Sequence, residues 1–237
     1  MYGAADDGQF VDTENVLLYN VGTAALRHLT ESAVTFERAF TYPPRLTSRV
    51  LPPAHLHYQR YAVVAPTELH HWRPAGTIAS FDGVDVPSLK SPGVVWAALR
   101  TGTPPPLLAE DPARFLVRLK IRDRKPALRT NLATLIKPTL DGIISAFHSH
   151  TEPADQVAQR LAHAGVGQYD PLRAHLADPN WAALGSRTLV KPFGAHGVQW
   201  NPADDYCVAA TVSIDHAPDD GPRWQLSGEL AWAAPVS

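Results

Sequence analysis

One cysteine, Cys207, in a chain of 237 residues excludes an intramolecular disulfide and any paired-cysteine zinc site. No apolar run approaches the roughly 18–20 residues needed to span a bilayer. The amino terminus, Met1-Tyr2-Gly3-Ala4-Ala5-Asp6-Asp7, is acidic and does not have the basic-then-apolar order of a signal peptide. The cytoplasm is therefore the expected location, with no membrane partner. A glycine-rich nucleotide loop, a Gly-x-Ser-x-Gly nucleophile elbow and a His-Glu-x-x-His helix are all missing. A net charge of −2 supplies no global attraction to nucleic acid, so any such binding must come from a local basic patch.

What is there suits a soluble folded chain. Hydrophobic residues make up 45% and charged residues 19%, enough to bury a real core. The 22 prolines imply stiff connections and short helices. Asp12 to Val21 reads as a helix start, with Asp12 or Thr13 as its cap and Glu14 in the first turn. Val34 to Phe40 alternates as a strand, and His55 to Tyr58 and Tyr61 to Val64 are strand-like. His70-His71 falls in a polar turn and Val84 to Pro87 is a short extended piece. Gly93 to Leu99 is apolar and of either type. Thr103-Pro104-Pro105-Pro106 is the strongest linker signal.

From Val117 the alternation is strict, with Val117, Leu119 and Ile121 on one face and Arg118, Lys120 and Arg122 on the other. Same-face neighbours on a strand sit about 6.5–7 Å apart, close to the step between phosphates on an extended backbone. Arg124 and Lys125 extend the basic character. Such a row reads as a DNA-backbone contact or as a charged edge strand, and the charges repel unless something acidic lies opposite. Lys137-Pro138 is expected to halt the chain, with a helix opening at Asp141. Residues 152–187 read as helical pieces joined by turns. Val208 to Asp215 and Trp224 to Trp232 read as strands of a terminal hairpin across Asp219-Asp220-Gly221-Pro222.

Asp141, with Asp204 and Asp205 in the turn Trp200-Asn201-Pro202-Ala203-Asp204-Asp205-Tyr206, forms the candidate chemistry. Carboxylates at such tips are hard-oxygen ligands for Mg²⁺ or Mn²⁺, which polarises a phosphate oxygen and supplies a bound water. A solvated acidic turn capped by Asn201-Pro202 is the commoner explanation of a lone Asp-Asp pair such as Asp204-Asp205. Of the 11 histidines, His55-x-His57, His70-His71 and His148-x-His150 offer a rival transition-metal site. Cys207 reads as a buried hydrophobe and Trp200 as a core residue beside the acidic turn.

Lys137-Pro138-Thr139-Leu140-Asp141-Gly142-Ile143-Ile144-Ser145-Ala146-Phe147, with Gly197 to Asp205 and the strand after it, resembles the RusA-type Holliday junction resolvases. The resemblance covers about residues 114–215. It implies Mg²⁺-dependent, homodimeric nucleases acting on branched DNA, with Asp141 as the second acid of the first motif and Asp204 and Asp205 as the closing acids. Thr139 stands where the first aspartate would be, Gly142 where asparagine is usual and Ser145 where the family lysine would be. Asp12 and Glu14 are the chemically available replacements for the missing acid.

The expected fold is α/β (α+β), a mixed sheet with helices on one face. It is read as one domain over residues 1–237, an N-terminal part (1–102) on a RusA-like core (113–237) with a helical insertion (151–187). The expected function is a divalent-metal-dependent nuclease or a nuclease-derived DNA-binding protein. Asp141, Asp204 and Asp205 would hold Mg²⁺ or Mn²⁺ with Lys137 beside them, and Arg118, Lys120, Arg122, Arg124 and Lys125 would hold DNA. The alternatives are a non-catalytic binding or scaffold protein that keeps the fold without the site, and a histidine-metal enzyme acting on a small molecule.

Overall fold

The computed structural model describes residues 33–39, 58–62, 68–106, 114–125 and 133–236. The expected first helix with Asp12 and Glu14, the proline-bracketed connection after Phe40, and His55 and His57 lie outside them. The fold is a mixed α+β one: among the described residues, a six-stranded mixed sheet with four helices. The strands are β1 (Val34–Ala39), β2 (Tyr58–Ala62), β3 (Trp72–Val86), β4 (Phe115–Asp123), β9 (Cys207–His216) and β10 (Trp224–Pro235), in the spatial order β2-β1-β9-β4-β10-β3.

β4 sits in the middle, parallel to β9 and antiparallel to β10. This corrects two expectations. The basic strand is not an edge strand, and β9 and β10 do not form a hairpin, because β4 is inserted between them. Strand alternation was legible locally, but which strands pair depends on long-range packing. β3 is also much longer than the Val84-to-Pro87 piece, since Pro74 and Gly76 mask its pattern and an edge strand tolerates them.

The helices are α1 (Pro92–Leu99), α2 (Ala133–Ala146), α3 (Asp155–His163) and α4 (Tyr169–Ala177). α1 opens with Pro92 in its first turn, where a missing N–H costs nothing. The expected halt at Lys137-Pro138 is not observed: Pro138 lies inside α2, which begins at Ala133. Burial of Leu135, Ile136, Leu140, Ile143 and Ile144 outweighs the lost backbone bond. These side chains share one cluster with Val117, Leu119 and Ile121 of β4 and with Val157, Leu161, Leu172 and Leu176 of α3 and α4. β4 therefore turns Arg118 and Lys120 to the sheet face away from α2.

Between α2 and β9 lie two small ladders, β5 (Ser149–His150) with β6 (Ser186–Arg187) and β7 (Val190–Phe193) with β8 (Gly197–Trp200). Two 3-10 turns, Pro179–Trp181 and Asp204–Tyr206, complete this segment. Among the described residues no helix is long and apolar enough to cross a membrane.

Candidate functional site

α2 and the acidic turn do meet. Lys137 and Asp141 stand one helical turn apart on α2, and Lys137 Nζ donates to Asp141 Oδ1 at 3.1 Å. The same nitrogen donates to Asp204 Oδ2 at 3.3 Å, from the 3-10 turn that leads into β9. One ammonium thus joins two carboxylates 63 residues apart in sequence, and all three side chains are largely shielded, at 26%, 14% and 17% exposure. Asp205 meets a different partner: its main-chain carbonyl accepts from Arg38 Nη1 at 3.0 Å. Arg38 is itself buried, and its carbonyl accepts the Trp72 indole N–H. Among the described residues no group of three or more His, Cys, Asp or Glu side chains is arranged to hold a metal ion.

The three positions at which the resemblance would place an aspartate, an asparagine and a lysine recur at a spacing of three on α2, and all are buried. Thr139 is 0% exposed and its hydroxyl donates to the Leu89 carbonyl at 3.5 Å. A Cβ added to Gly142 would stand 2.6 Å from Val95 Cβ and 2.7 Å from the Pro92 carbonyl oxygen, so α1 crosses α2 at this residue. Ser145 is 0% exposed. The missing side chain of Gly142 lets the two helices approach. Trp200 packs on α1, its ring centroid 5.6 Å from that of Trp96.

The basic row faces the opposite side of the sheet, on which no helix lies among the described residues, and each member has an acidic neighbour. Arg118 Nη1 lies 3.1 Å from Glu229 Oε1 on β10 and Lys120 Nζ 3.7 Å from Asp215 Oδ2 on β9. Arg122 Nη2 lies 3.7 Å from Asp219 Oδ2 in the turn between β9 and β10. Such exposed pairs are screened by solvent and contribute little to stability. Ser80, Thr211, Ser213 and Ser227 line the same shallow groove. Arg124 is buried and tied to Asp85 at 2.7 Å and Asp219 at 3.3 Å, so it staples the sheet end. The Gly221 N–H, with Arg124 and Arg122 nearby, holds the Asp219 carboxyl below its ordinary range. Lys125 is exposed, and its N–H donates to Asp123 Oδ1 at 3.0 Å. Arg223 clamps the same carboxylate with two bonds of 3.1 Å.

The histidines separate by role. The main-chain N–H groups of His70 and His71 donate to the buried Glu37 carboxylate at 2.7–2.9 Å, which Arg60 also pairs at 2.9 Å. His148 is buried in the core, and burial holds it well below its ordinary value, to about 3. Glu37, Asp215, Asp219 and Glu229 are the residues that sequence reasoning missed, because their partners are set by sheet order and register. Compared with protein-family models, with curated proteins and with solved structures, the chain matches none.

Proposed function

We propose that this chain is a non-catalytic binding protein in which the acid cluster is a structural staple. The observation that carries this reading is Lys137, whose ammonium stands between Asp141 and Asp204 at 3.1 and 3.3 Å. The donor set does not fit a resident Mg²⁺, which takes near-octahedral oxygen ligands, because the chain's own cation already answers both carboxylates. Thr139, Gly142 and Ser145 support the same reading, since a ligand or general acid at those positions would point into the packed core beside α1. The basic row adds further support: it lies on the other face of the sheet from α2, so acids and cations do not flank one phosphate.

The sheet face that carries the basic row is the binding surface in this reading. Its cations and acids alternate across β9, β4 and β10, which suits a partner that carries both signs of charge, as a protein surface does. A uniformly anionic nucleic-acid backbone would meet an acid beside each cation.

The test is calorimetric titration of Mn²⁺ into the wild type, into Asp141→Asn/Asp204→Asn, and into Lys137→Met. The staple reading expects no uptake by the wild type, and a Lys137→Met protein less stable by about 1–3 kcal/mol, between the values for exposed and buried pairs. Binding by the wild type that disappears in the double variant would replace this reading with a metal-dependent nuclease, and branched DNA would be the substrate to try.

A further inference from the structure

A cleft of about 700 Å³ lies against α3 and the start of α4, and it shares no residue with the groove of the basic row. Its volume falls in the range of small-molecule sites, roughly 300–1,000 Å³. Among the described residues it is lined by Asp155, Gln156, Gln159, Ala162, His163 and Tyr169. The first five recur on α3 at the spacing that gathers side chains on one face, while Val157, Ala158 and Leu161 turn to the core. Tyr169 opens α4 and reaches back to α3, where its hydroxyl donates to Asp155 Oδ1 at 2.8 Å. That bond holds the phenol above its ordinary value, so it keeps its proton and Asp155 stays the acceptor. The ring is thereby set as one wall of the cleft.

Acceptors outnumber donors in this lining. The carboxylate of Asp155 and the lone pairs of the Tyr169 oxygen accept, and the 2.8 Å bond holds the two groups side by side. His163 Nδ1 lies 2.9 Å from the Gln159 carbonyl oxygen, which can only accept. Nδ1 therefore carries the proton, and in the neutral ring Nε2 is a further acceptor. Only the Gln156 and Gln159 amides donate, and each brings a carbonyl oxygen of its own. With His163 neutral, Asp155 is the one charged group among these six. The complement is a ligand that carries positive charge and N–H donors, with a carbon chain to lie along the Tyr169 ring and Ala162.

We propose that this cleft binds an aliphatic amine in its ammonium form, the charged end on Asp155 and the Tyr169 oxygen and the chain along Gln159 and Ala162. His163, at the other end of α3, lies about 12 Å along the helix axis from Asp155 and meets the far end of a long ligand.

The experiment is an NMR titration of the whole chain, labelled at alanine methyls, at about pH 8, where alkylamines are charged and an ordinary imidazole is neutral. n-Butylamine should shift the Ala162 methyl saturably, and n-butanol should need at least about tenfold more, the worth of a charged hydrogen bond. Asp155→Asn keeps an acceptor for the Tyr169 hydroxyl and removes the charge, and it should weaken butylamine by about tenfold. Asp170→Asn, next to Tyr169 in sequence but outside the lining, should change the affinity by less than about twofold. Spermidine and a blocked Gly-Lys-Gly peptide then separate the sources, since tighter spermidine marks a free polyamine and a tighter peptide marks a partner's lysine. The absence of a saturable shift with butylamine would overturn the proposal, as would equal binding of butanol. Equal binding of tetramethylammonium, which has charge but no N–H, would overturn it as well. So would an Asp170→Asn loss as large as that of Asp155→Asn, since the attraction would then be diffuse surface charge.

Discussion

Replacing Gly142 by alanine pits helix propensity against packing, and the structure says which wins. In an isolated helix the change would stabilise by about 0.8–1 kcal/mol, because glycine loses more backbone entropy. Here the new Cβ would lie 2.6 Å from Val95 Cβ, 2.7 Å from the Pro92 carbonyl oxygen and 2.9 Å from Val95 Cγ1. Two of these obstacles are a Cβ and a backbone atom, which no rotamer change moves, so α1 and α2 must part. Overpacking of this kind costs typically 1–3 kcal/mol, and rigid obstacles place it at the upper end. The net expectation is a loss of about 1–2 kcal/mol, or a Tm lower by about 2–8 °C for a chain of this size. Urea unfolding followed by tryptophan fluorescence measures it. Trimming Val95 to alanine in the same protein should not restore stability, since Val95 Cβ and the Pro92 carbonyl oxygen stay in place. Gly102→Ala, whose Cβ meets nothing closer than 3.4 Å, serves as the tolerated control. A Gly142→Ala protein as stable as the wild type would refute the close helix crossing, and with it the structural account of α2.

Acid should destabilise the protein through His148. Burial, with Arg187 and Arg100 nearby, depresses its folded value to about 3 from 6.5, so its stabilisation is complete above about pH 6.5 and is lost as pH falls toward about 3. Urea midpoints measured between about pH 4 and pH 7 should fall more steeply for the wild type than for His148→Asn, and parallel curves would contradict the assignment. Removing the acids of the open face should change what it binds. Asp215→Asn/Asp219→Asn/Glu229→Gln should acquire salt-dependent DNA binding absent from the wild type, with a log–log slope of up to about −2.7 for three freed cations. Equal binding by both proteins would count against the mixed-charge reading of this face.

Much of the local structure was legible in the residues. The alternation of Val117 to Arg122 placed Arg118, Lys120 and Arg122 on one exposed face, because a strand has a period of two whatever its neighbours are. The pairing of Lys137 with Asp141 follows from helical spacing alone once α2 is known to include both. The start of α2 was not legible, since Pro138 reads as a breaker and only the burial of Leu135 and Ile136 shows why the helix passes through it. Tertiary structure decided the rest. It inserted β4 between β9 and β10, brought Asp204 to Lys137 across 67 residues, and set Glu229, Asp215 and Asp219 against the basic row. It also buried Thr139, Gly142 and Ser145, with Gly142 against α1. Such outcomes depend on which apolar faces bury together, and that choice is made by the whole chain at once: residue type and local period name the candidates, and long-range packing assigns their partners.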